Sequence, residues 1–128
     1  MKKEVKNWLD SAKYDLETAQ YLFDAGRYIY TIFMCHLALE KVLKAKVEEI
    51  TGKTPPRTHD LEYLLGIAGL SPGKNMEKFI VEITNLSVVT RYLSNFQRTL
   101  KDFSQERSES ILARTKEAFQ WIKKSIAS

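Results

Sequence analysis

Apolar positions recur along most of the chain at the three-and-four spacing of a helix, with no segment of sustained strand-like alternation. From about Lys2 to Ala25, the residues Val5, Trp8, Leu9, Ala12, Leu16, Ala19, Leu22 and Phe23 fall on one stripe. Gly26 follows, where a helix end favours a residue free to take positive φ. A second segment runs from about Tyr28 to Thr51 and closes at Gly52. Its first half, YIYTIFMCHLAL, is apolar on nearly every side. Its second half, EKVLKAKVEEI, returns to an amphipathic pattern through Val42, Leu43, Val47 and Ile50. A helix apolar all round must be covered all round. This one is therefore expected at the centre of a bundle, or partly in an interface between copies.

The loop GKTPPRT interrupts the pattern, since successive prolines cannot continue a helix. A short helix is predicted from about Asp60 to Ala68, with Thr58 as its N-cap. GLSPGK is a second break, with Ser71 as the expected cap and Pro72 as the first residue of the next helix. That helix is predicted to reach Leu93 and to bury Phe79, Ile80, Ile83, Leu86 and Val89 or Thr90. The last runs from about Ser104 to Ile126 on a stripe of Ile111, Leu112, Thr115, Ala118, Phe119 and Ile122. Four long helices and one short one, joined by short connections, predict an all-α, up-and-down helical bundle. Trp8, Leu16, Ile32, Leu39, Leu43, Ile83, Leu86 and Phe119 are its expected core. Tyr28, Tyr30 and Phe33 add more apolar surface than neighbouring helices are expected to cover, which predicts a symmetric homodimer.

Length and composition change this picture little. The 128 residues fit a single domain over 1–128, and 44% apolar with 28% charged residues is a globular balance. No apolar run reaches the roughly 18–20 residues of a membrane span. MKKEVKNWLD lacks the apolar core of a signal peptide, so a cytoplasmic location without membrane attachment is expected. Cys35 is the only cysteine, which agrees with a reducing compartment. A net charge of +4 is compatible with nucleotide or nucleic-acid partners without being diagnostic.

Four blocks in order resemble the HEPN domain family: WLDSAKYDLETAQYLFDAGRY, FMCHLALEKVLKA, PPRTHDLEYLL and TRYLSNF. Together they span almost the whole chain. The resemblance implies a fold of about five helices, frequent homodimers, and frequent pairing with a minimal nucleotidyltransferase, including in toxin–antitoxin systems. Some members are ribonucleases that use an arginine followed, after four to six residues, by a histidine. This chain departs from that pattern: neither Arg91 nor Arg98 is followed by a histidine, and none occurs after His59. The residue after Tyr92 is Leu93, where many relatives have proline. Without the histidine that normally supplies acid/base chemistry near neutral pH, ribonuclease activity of that type is not expected. What remains is a nucleotide-binding or accessory subunit with no required cofactor. The alternatives are a ribonuclease toxin with a non-standard site, or an interaction module without a ligand.

The candidate chemistry is cationic and aromatic. Arg91 and Tyr92 offer a fork for phosphate and a ring for a base. The competing reading is an ion pair between Arg91 and Glu40 or Glu82. Lys41 and Lys44 offer cations to a phosphate or acidic surface. Glu40 and Lys44 are also four apart, in the favourable order for an intrahelical ion pair. Arg57 and His59 sit in the proline loop, where a rigid scaffold often carries binding groups. The alternative is that His59 and Asp60 cap the next helix and tie the loop down. His36 and Cys35 point about 100° apart on one helix, and two histidines and a cysteine are too few for a zinc site. Both are expected to be buried packing residues. No glycine-rich phosphate loop occurs.

Overall fold

The computed structural model describes residues 1–127. It contains six helices and, among the described residues, no strand: α1 (Lys3–Asp24), α2 (Tyr28–Thr51), α3 (Leu61–Ile67), α4 (Lys74–Arg91), α5 (Phe96–Asp102) and α6 (Gln105–Lys124). The all-helical, up-and-down bundle holds, with one short helix more than the pattern predicts.

Helix α2 is the axis of the fold and packs against each of the other five. Fourteen of its twenty-four residues are buried, including Ile32, Cys35, Ala38, Leu39 and Leu43. Helix α1 returns along it after a tight turn. Gly26 takes φ +75°, and Arg27 N–H closes back onto the Leu22 carbonyl at 2.8 Å. Helix α6 covers α2 with the expected stripe from Ile111 to Ile122, buried throughout. Helix α4 packs on α2 and α3 through Phe79, Ile80, Ile83, Ser87 and Thr90. Of the eight expected core residues, Ile32, Leu39, Leu43, Ile83 and Phe119 are fully enclosed. Trp8, Leu16 and Leu86 pack against the core at its edge.

Three local expectations are corrected. Asp60, rather than Thr58, caps α3: its side chain accepts from Tyr63 N–H at 3.1 Å, and Thr58 Oγ1 instead accepts from the Asp60 amide. Helix α4 begins after Gly73 with Lys74, two residues beyond the proline, so Ser71 caps nothing. The segment after Arg91 is helical again, because the Asn95 side chain accepts from Arg98 N–H at 3.1 Å and starts α5.

A fourth correction concerns surface. The apolar half of α2 is largely covered: Tyr28 is half-buried against Phe23, with ring centroids 5.5 Å apart, and Phe33 is also half-buried. Only Tyr30 of that trio stays mostly exposed. The larger exposed apolar surface is on α4 and α5, at Val81, Val88, Val89, Tyr92, Phe96 and Leu100.

Candidate functional site

Four ionisable residues stand one turn apart on α2: His36, Glu40, Lys44 and Glu48. All are buried. Steps of four keep them on one face, and that face is covered by α1 and by the loop between α2 and α3. Glu40 is the hub. One carboxylate oxygen accepts from Lys44 Nζ at 3.0 Å and the other meets His59 Nδ1 at 2.7 Å. Lys44 also lies over the Trp8 ring, 5.5 Å from its centroid, and the Trp8 indole N–H donates to Glu48 at 3.3 Å. Each buried charge thus has an opposite charge or a donor, as burial requires.

The proline loop is fastened to this face by its histidine. His36 Nε2 lies 3.0 Å from the His59 carbonyl, so Nε2 carries the hydrogen and donates it. His36 Nδ1 is buried without a partner. Burial pushes the His36 pKa down to about 4, and the nearby Arg91 charge adds to this against the opposing pull of Glu40. The ring is therefore neutral at pH 7. His59 itself is mostly exposed: Glu40 holds one side of the imidazole and the other faces solvent.

Arg91 ends α4 and sits above Phe33 of α2, its guanidinium carbon 5.2 Å from the ring centroid. It pairs with neither carboxylate expected for it. Glu40 is engaged by Lys44 and His59, and Glu82 faces Arg114 at 3.6 Å. Among the described residues no carboxylate lies within ion-pair distance of Arg91. Tyr92, the C-cap of α4, is 75% exposed.

The six sequence candidates thus separate. Arg91 and Tyr92 share one exposed end of α4. His59 is presented on the surface and tied to Glu40, and Arg57 is exposed on the same loop. Lys44 is buried. Lys41 spans α1 and α2, with Nζ 2.8 Å from Asp15 and 2.8 Å from Ser11 Oγ. The charges of both lysines are matched inside the protein. Phe33, which steadies Arg91, and Trp8, which roofs Lys44, were expected only as apolar surface and core, not as partners of these two cations. Cys35 is buried, and that burial pushes its thiol up to about 12. Among the described residues, no three His, Cys, Asp or Glu side chains gather to hold a metal ion, and no helix is long and apolar enough to cross a membrane.

The backbone that creates this arrangement has solved relatives. An archaeal HEPN homologue superposes with a TM-score of 0.76 at 21% identity, over 99% of this chain and 100% of its own. TT1696 from Thermus thermophilus superposes with a TM-score of 0.80 at 17% identity, over 98% and 100%. No curated protein matches the sequence. The family model for the HEPN domain matches residues 5–125, and with that match over nearly its whole length the chain belongs to the HEPN domain family.

Proposed function

We propose that this protein is a nucleotide- or phosphate-binding accessory subunit, acting as a homodimer beside a minimal nucleotidyltransferase in a toxin–antitoxin setting. The observation that supports binding is Arg91: an exposed guanidinium steadied on Phe33, without a carboxylate, beside the exposed ring of Tyr92. An arginine so placed keeps its fork free for phosphate oxygens, and the tyrosine offers a face for a base. The nucleotidyltransferase partnership rests on the family alone.

Titration with ATP and with a short RNA tests the reading. Arg91→Ala is expected to weaken binding by about 1–3 kcal/mol, the range for losing a charge-assisted hydrogen bond. The melting temperature should change little, because no ion pair inside the protein is lost. Unchanged binding eliminates the Arg91 site. Failure of the wild type to bind either ligand leaves an interaction module.

One observation favours a second reading, an RNA-cleaving protein with a non-standard site. His59 has a carboxylate orienting one ring nitrogen and an open face at the other, the arrangement of a general acid or base. Cleavage of the same RNA by the wild type, lost in His59→Ala, would establish it.

A further inference from the structure

The start of α1 and the end of α2 meet at one end of the bundle. A cleft of about 520 Å³ opens there, lined by Lys2, Glu4, Glu48, Gly52, Lys53 and Thr54. That volume falls within the roughly 300–1,000 Å³ of small-molecule sites. The backbone fixes the turn that forms one wall. Gly52 takes φ +68° and returns its N–H to the Glu48 carbonyl at 2.9 Å, and Lys53 N–H donates to Thr51 Oγ1 at 3.2 Å.

Glu48 sets the chemistry of this cleft. It is only 8% exposed, yet among the described residues no cation lies within ion-pair distance of it. Its one hydrogen bond there is the long one from the Trp8 indole to Oε1, and Oε2 opens into the cleft without a partner. Lys44, one turn earlier, is taken by Glu40. The other buried acids differ, since Glu40 has Lys44 and Asp15 has Lys41. A buried carboxylate without a cation is costly. The last turn of α2 holds no basic residue either, so the negative end of that helix adds to the demand for a cation.

The rim makes the opposite demand. Lys2 and Lys53 are exposed, and among the described residues neither has an acid within ion-pair distance. Helix α1 starts after Lys2 without a side-chain cap, which leaves its first N–H groups free for an anion.

We propose that this cleft binds a small zwitterion, a free α-amino acid, with its ammonium on Glu48 and its carboxylate between Lys2, Lys53 and the first turn of α1. The site stands apart from Arg91 and His59 and does not rest on the reading above. A bare divalent ion suits the cleft less well, because two carboxylates are few for such an ion and two lysines repel it. A nucleotide suits it less well too, because Glu4 and Glu48 repel phosphate.

Trp8 gives the site its own reporter. The indole N–H that donates to Glu48 has a proton resonance of its own, and Trp121, the other tryptophan, lies on α6 as an internal control. Titration of the full chain with L-alanine is expected to shift the Trp8 signal saturably and leave that of Trp121 in place. Ethylammonium and propionate, the two halves of alanine, are expected to bind at least about tenfold more weakly, since each forfeits one ion pair. Glu48→Gln keeps an oxygen for the Trp8 indole but loses the charge, and is expected to abolish the shift. In a chain carrying both Lys2→Gln and Lys53→Gln, alanine is expected to lose its advantage over ethylammonium. No saturable shift of Trp8 at millimolar alanine overturns the site, as does undiminished binding in Glu48→Gln. Ethylammonium binding the wild type as tightly as alanine overturns the zwitterion.

Discussion

His36 shows how a single buried ring reports on the site. It has no exposed surface, gives its Nε2 hydrogen to the His59 carbonyl, and leaves Nδ1 unpartnered. Its proton affinity is depressed by that burial, to a pKa of about 4. The unfolded chain, with an ordinary histidine pKa near 6.5, binds the proton first as pH falls. Between those two values the unfolded state holds more protons, so stability falls as pH falls. The loss attributable to His36 is expected to reach about 2 kcal/mol between pH 7 and pH 5. His36→Gln keeps an amide N–H for the His59 carbonyl and does not titrate. Urea melts of both proteins at the two pH values isolate the ring, because Glu40, His59 and Arg91 are common to both. Equal losses in the two would remove His36 as the cause. The same residue marks a limit of sequence reading. That His36 is buried follows from its apolar neighbours, but its link to His59, and that of His59 to Glu40, depends on the path of a proline loop that no local pattern specifies.

Elements with strong periodicity and clear punctuation were legible from the sequence. Helix α2 has the bounds the pattern predicts, because Gly26 and Gly52 flank it and both adopt positive φ, +75° and +68°. Helix α5 was missed for the opposite reason: it buries only Thr99, so it has no apolar stripe, and its one local signal is Asn95 as a cap. The Glu40–Lys44 pair was visible as a spacing, whereas the Lys41–Asp15 clamp was not, because Asp15 falls on an apolar stripe of α1. That clamp supports a prediction about how the two helices are joined. Asp15 is buried and its charge is answered by Lys41. Lys41→Met strands the carboxylate and is expected to cost about 3 kcal/mol, since breaking one side of a buried pair leaves an uncompensated charge. Removing both charges, with Asp15→Leu and Lys41→Met together, should recover most of the loss. Denaturant unfolding of the three variants measures the coupling, and additive losses would show that the clamp does not bind α1 to α2.

At the scale of the molecule, the organisation around α2 predicts where stability resides. Every other helix packs against α2, so no other element can leave without uncovering part of it, and α2 can leave only if the whole bundle opens. Helix α5 is the reverse case, with one buried residue in seven and a light contact to α2. Local opening is cheap where little apolar surface is released, and approaches the global unfolding free energy where much is. Native-state hydrogen exchange is therefore expected to be slowest for amides of α2 between Ile32 and Val47, and fastest among the helices for α5. Exchange in α5 as slow as in α2 would contradict this hierarchy.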